Sequence, residues 1–135
     1  MAASTKSIAF VIDSSAMVAK LFPDEKTSSK LDNAFTAFHQ GSIQFYAPLL
    51  LKYEVTNAIK TGILRKRFTP AISQKLLKQF LALPIRYQPT NFPLTLKLAI
   101  KHHLSIYDAA YLHLAKTQKA SLLSLDTTLA KLAQN

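Results

Sequence analysis

The chain has no cysteine, which excludes a disulfide framework, thiolate zinc sites, iron–sulfur ligation and cysteine nucleophiles together. A reducing, intracellular setting is compatible with that. Glycine occurs only at Gly41 and Gly62, so a phosphate-binding P-loop, a dinucleotide-binding fingerprint and a glycine-flanked nucleophile elbow have no residues to be built from. Long apolar runs are missing too. Ile8-Ala-Phe-Val-Ile12 is too short for the core of a signal peptide or for a membrane span, and lysine, arginine or proline interrupts every other candidate. The expectation is a soluble cytoplasmic protein with no membrane partner, and secretion of the native protein would count against it.

Acids are scarce as well: seven Asp and Glu stand against seventeen Lys and Arg, a formal net charge of +10. A small domain this basic attracts polyanions, because binding releases the counterions condensed on phosphates. Nucleic acid is therefore the first partner to consider, although an acidic protein surface or simple solubility uses the same charge. The distribution says more than the total. Asp24, Glu25 and Asp32 share one early polar stretch, and beyond it only Glu54, Asp108 and Asp126 remain, each interrupting a mostly apolar segment.

At 135 residues and 49% hydrophobic, the chain has material for one ordinary core, and residues 1–135 read as a single domain. Ile8 to Ile12 reads as a buried strand, and Asp13-Ser-Ser starts a helix whose body runs from Ala16 to Phe22, before Pro23. A helix is expected over Thr27–His39, closed by Gly41, and then a strand over Ile43–Ala47. Pro48 is expected to open the next helix, which carries Glu54 toward Gly62, and another amphipathic helix follows over Pro70–Leu81. Leu83–Tyr87 reads as a weak strand, Phe92–His102 as a helix, Ile106–Thr117 as a helix capped by Ser105, Leu122–Leu125 as a strand, and Asp126 as the start of a terminal helix to Gln134. Strands separated by helices imply crossover connections, hence an α/β sheet with helices on both faces.

In open parallel sheets the ligand crevice lies outside the carboxyl ends of the strands, where Asp13 and Asp126 are both expected. Asp108 stands in a first helical turn, and Glu54 shares a helix stripe with Leu50, Asn57 and Thr61. If the four acids converge, their repulsion calls for a cation, and carboxylates without thiolates select Mg²⁺ or Mn²⁺. Such ions activate water for attack on phosphorus, which is nuclease chemistry. The structural alternative is that Asp13 and Asp126 are helix caps and that Ser105-Ile-Tyr-Asp108 is a capping box. Glu54 fits that alternative least, because it lies well past the first turn.

The segments Val11-Ile-Asp13-Ser-Ser-Ala, Tyr53-Glu54-Val-Thr-Asn57, Leu104-Ser-Ile-Tyr-Asp108-Ala-Ala-Tyr-Leu-His-Leu-Ala115 and Leu123-Ser-Leu-Asp126-Thr-Thr-Leu together resemble the PIN domain, especially the VapC-like toxins of toxin–antitoxin pairs. The resemblance spans essentially the whole chain. Its most specific part is Tyr-Asp-Ala-Ala-Tyr followed, eighteen residues after its aspartate, by Ser-Leu-Asp. It implies a three-layer α/β/α sandwich on a parallel central sheet, frequent homodimers, and Mg²⁺- or Mn²⁺-dependent hydrolysis of RNA. It maps the acidic, metal-holding site onto Asp13, Glu54, Asp108 and Asp126, with Ser14 and Ser124 in support; Asn57, one turn past Glu54, is placed by its spacing to orient a carboxylate or a metal-bound water. Ser124 and Ser14 stand where the family often has threonine and keep the hydroxyl. A toxin of this kind would meet a small antitoxin whose segment enters the acidic cleft, with an arginine or lysine taking the cation's position.

Other features weigh less. Arg65-Lys66-Arg67-Phe68 reads either as an RNA-binding edge with an aromatic platform or, more often, as a solvated helix end. Adjacent His102 and His103 point in different directions, and with His113 and His39 they read as structural or surface residues. Tyr107 and Tyr111 share a helical face beside Asp108 and read as core rather than as a platform for bases. Two competing functions remain. One is a PIN-like module that binds nucleic acid or a partner without cleaving. The other, an aspartyl phosphotransferase with Asp13 as nucleophile, is disfavoured because Ser15 stands where that chemistry wants a second aspartate.

Overall fold

The computed structural model describes residues 8–134; the single-domain reading over 1–135 also takes in residues 1–7 and 135, which lie outside the described residues. Strand β1 (Ile8–Ile12) leads through helices α1 (Ser14–Leu21) and α2 (Ser29–His39) to β2 (Ile43–Pro48). Helices α3 (Leu50–Leu64) and α4 (Pro70–Leu81) lead to β3 (Arg86–Gln88), and α5 (Phe92–His102) and α6 (Ile106–Gln118) to β4 (Ser121–Leu123), before α7 (Thr127–Ala133). The strands form one sheet in the order β3-β2-β1-β4, and every pairing is parallel. This is the α/β/α architecture expected from alternating strands and helices.

The strand order explains where a site belongs. The chain runs outward from β1 through β2 to β3, then crosses back to lay β4 on the other side of β1. Between β1 and β4 the direction of winding reverses, and parallel sheets open a crevice at the carboxyl ends of strands that diverge in this way. Asp13 follows β1 and donates its backbone N–H to Leu123 O at 3.1 Å, so the two strands stay zipped to the rim of that crevice.

Val11, Ile12, Phe45 and Ala47 are fully buried because helices cover both faces of the sheet. Helix α6 packs along β1, β2 and β4, while α2 and α3 pack on β2. On the α2 side, Phe45 stacks on Phe38 at 4.2 Å between centroids and meets Phe35 edge-on at 5.1 Å. Gly41 adopts a positive φ of 77°, a conformation strained for any side chain, which lets the chain turn out of α2 into β2.

Several boundaries differ from expectation, each because a polar group takes a different partner. Helix α2 starts at Ser29, since the Ser28 hydroxyl caps Leu31 N and Thr27 spends its hydroxyl on Asp32. Pro48 does not open α3; it ends β2, paired with Gln88 and already past the β1 register, where its missing N–H breaks no ladder bond. Strand β3 begins at Arg86 rather than Leu83, because Leu83 N and Ile85 N are committed to turn bonds on leaving α4. Strand β4 ends at Leu123 because Leu125 N bonds Ser15 Oγ instead of continuing the ladder. No described helix is long and apolar enough to cross a membrane.

Candidate functional site

Asp13 is the N-cap of α1 and only 7% exposed; its Oδ1 accepts from Ala16 N at 3.1 Å and from the Ser15 hydroxyl at 2.6 Å. Asp126 caps α7 in the same manner, with Oδ1 taking Leu129 N at 3.0 Å. The capping alternative is thus realised for both residues, and it occupies one oxygen of each. A cap does not compete with a ligand role, because Oδ2 takes no part in the capping bonds. Asp108 lies in the first turn of α6, where the Ser105 hydroxyl caps its backbone N–H at 3.0 Å.

Glu54 comes from a different place, the second turn of α3, past the free N–H groups of the helix start. It is held from outside its own segment. The Tyr111 hydroxyl donates to Glu54 Oε1 at 2.6 Å, and Ser14 lines the same groove as the carboxylate.

The four acids feel one another. Partial burial raises the Glu54 carboxyl above its ordinary value; the Tyr111 and Ser14 hydroxyls pull the other way, and the charges of Asp13 and Asp108 push it up further. Asp108 is raised by burial first, then by Asp126 and Asp13. Burial and the Glu54 contact raise the Tyr111 phenol far above its ordinary value, which keeps it a donor. The α3 glutamate and the α6 aspartate are thus each within electrostatic reach of Asp13, and the α6 aspartate of Asp126 as well.

The donor set suits a hard cation, being carboxylate oxygens with mutual repulsion to relieve. Among the described residues no three acids or histidines stand close enough together to hold a metal ion between them. Mg²⁺ asks for less than that, since it keeps several waters and takes one or two carboxylates directly.

Of the supporting residues, Ser14 lies beside Glu54, and Ser124 accepts from Asp126 N at 3.0 Å. Asn57 lines an open groove of about 410 Å³ together with Ser14, Ser15 and Glu54. Two residues that matter were not picked out as site residues from the sequence. Ser15 bridges the two aspartate-bearing turns by donating to Asp13 and accepting from Leu125 N at 2.9 Å. Tyr111 was read as core, and its ring is core; its hydroxyl reaches the site. Spacing held a signal in both cases, since Tyr111 lies one turn from Asp108 and Ser15 two residues from Asp13.

Two further readings change. Tyr107 is 61% exposed and not core. Phe68 is no platform for bases: it is buried edge-on against Phe22, while Arg67 lies over Phe22 and grips Asp24 and Glu25. His103 serves as the left-handed cap that ends α5, with φ 56°.

Comparison with known proteins points one way. The family profile described as PIN domain matches residues 10–135. The chain is 31% identical over 125 residues to Ribonuclease VapC3 of Pyrobaculum aerophilum, covering 90% of this chain and 92% of that protein. Its fold is similar to the crystal structure of PAE2754 from Pyrobaculum aerophilum, with a TM-score of 0.68 at 18% identity over 96% of this chain and 98% of that one.

Proposed function

The chain belongs to the PIN domain family, and from that premise we propose that it is a metal-dependent endoribonuclease, the toxin of a toxin–antitoxin pair. The observation that supports this reading is the electrostatic coupling that links Asp13, Glu54, Asp108 and Asp126 in an otherwise basic chain, with Glu54 and Asp108 raised by burial and by their fellow acids. Kinship to a protein named as a ribonuclease supports RNA as the substrate.

Asp13, Glu54, Asp108 and Asp126 would hold Mg²⁺ or Mn²⁺, which supplies an activated water and charge neutralisation at a phosphodiester. The chain's own residues do the rest. The backbone caps at Asp13 and Asp126 fix the two strand-end carboxylates against α1 and α7. Ser15 ties those two turns together, so their spacing is set by the sheet rather than by loop motion. Lysines and arginines recruit the RNA backbone, and Ser14 and Asn57 line the groove beside Glu54.

The antitoxin reading carries a prediction about the partner, a segment whose arginine or lysine neutralises the same acids in place of the cation. A homodimer is supported by a run of exposed apolar side chains: Leu49, Tyr53, Phe92 and Tyr107 line one concavity, and Tyr53 is 77% exposed. Sedimentation of the protein beside a Tyr53→Glu variant tests it.

The deciding experiment incubates the purified protein with single-stranded and structured RNA, with Mg²⁺, with Mn²⁺ and with chelator, alongside Asp13→Asn. Metal-dependent cleavage that disappears in the variant is the expected result. RNA binding without cleavage under any condition would favour the binding-module reading instead.

A further inference from the structure

Tyr111 is 2% exposed, and its ring fills a place in the core that phenylalanine would fill equally well. The hydroxyl is what phenylalanine lacks. It donates to Glu54 Oε1 at 2.6 Å, from α6 to α3, across 57 positions of sequence. The other three acids have help close at hand: Asp13 and Asp126 are held by amides of their own helices, and Asp108 stands in a helical first turn where Ser105 caps its backbone N–H. Glu54 alone depends on distant residues for its orientation.

A glutamate on the open side of a helix has three rotatable bonds and samples many positions. A donor fixed in the core removes that freedom, provided the donor cannot itself move. Tyr111 meets this condition because its ring is packed and its helix also carries Asp108, so one rigid element delivers one acid and orients another. Resting on the metal-dependent reading above, we propose that Tyr111 is a positioning residue that engages Glu54 Oε1 and presents the second carboxylate oxygen to the divalent cation.

The bland account is that a buried hydroxyl simply takes the nearest acceptor. On that account Tyr111→Phe alters stability but leaves metal affinity untouched. On ours, the effect passes through Glu54 and through nothing else.

The test is Mn²⁺ binding to the full chain, followed by the paramagnetic signal of free Mn²⁺, with metal-free thermal melts as a check on folding. Tyr111→Phe is expected to weaken Mn²⁺ affinity by about tenfold, the lower end of what outer-shell partners of metal ligands contribute. Glu54→Gln should weaken it at least as much, and the double variant should be no weaker than Glu54→Gln alone. Unchanged affinity in Tyr111→Phe, or losses that add in the double variant, would overturn the proposal while leaving the metal site intact. Should Tyr111→Phe melt without a cooperative transition, Glu54→Asp asks the same question from the other side, by drawing the carboxylate out of the hydroxyl's reach. It should bind Mn²⁺ as weakly as Tyr111→Phe is expected to, and affinity equal to the parent's would overturn the proposal. A parent protein that binds no Mn²⁺ would overturn the metal reading itself, and this proposal with it.

Discussion

Asp24, Glu25 and Asp32 lie around the turn between α1 and α2, and each has a cation. Arg67 reaches Asp24 at 2.9 Å and Glu25 at 2.8 Å, and Lys20 reaches Asp32 at 3.0 Å. Asp13, Glu54, Asp108 and Asp126 form no ion pair among the described residues and lean on hydroxyls and helix amides instead. The consequence appears in the protonation equilibria. Arg67 holds Asp24 below the usual carboxylate range and Lys20 does the same for Asp32, while Glu54 and Asp108 are pushed above it. Among the described residues, the lysines and arginines pair with three of the seven acids and with none of Asp13, Glu54, Asp108 and Asp126. On the function proposed above, these are the acids that take a cation from solution.

The comparison breaks hardest at the site. Asp108→Asn should reduce RNA cleavage by about a hundredfold or more, while RNA retention on a filter stays near the parent's. Loss of retention to the same degree would mean that the acids serve binding alone.

Cation binding should act on one group and not on the other. At about one hundred times its dissociation constant, Mn²⁺ should add about 2.7 kcal/mol to the unfolding free energy of the parent. The gain should shrink sharply in Glu54→Gln and persist in Asp24→Asn, as read from urea unfolding.

Proton binding sharpens the contrast with a smaller effect. Glu54 and Asp108 have folded values raised above their unfolded ones, so their protonated forms favour the fold. Their stabilising contribution is complete below the unfolded value and is lost as pH rises through the folded one. Metal-free protein should therefore melt higher as pH falls from neutrality toward the carboxylate range, and saturating Mn²⁺ should flatten that trend. Asp24 and Asp32 work in the opposite sense: their lowered values give stability above the unfolded range that is lost at still lower pH, so the trend should turn over in acid.

The smallest effect belongs to the paired group. Arg67→Ala should lower the melting temperature modestly, and the deficit should narrow as salt is raised, because exposed pairs are screened. A residual deficit at high salt would report the guanidinium lost from the Phe22 ring.

Much of the fold was legible because its signals are local. Short apolar runs between amphipathic helices gave the alternation of strand and helix, and Ser105, Asp13 and Asp126 announced helix starts that the structure contains. Boundaries slipped where a polar group had two partners to choose from. Ser15 takes Leu125 N from the sheet and shortens β4, and Pro48 ends a strand instead of opening a helix.

By itself the sequence determined which acids the chain has to work with, that they sit at helix starts or on a mid-helix stripe, and that no thiol or glycine-rich loop competes with them. Those are properties of composition and of spacing within a few residues. Only the tertiary structure decided that Arg67 would neutralise Asp24 and Glu25, and that Tyr111 would turn its hydroxyl from the core onto Glu54. The physical reason is separation along the chain. Each of these contacts joins residues more than forty positions apart, and the strand order that brings them together is a property of the sheet as a whole.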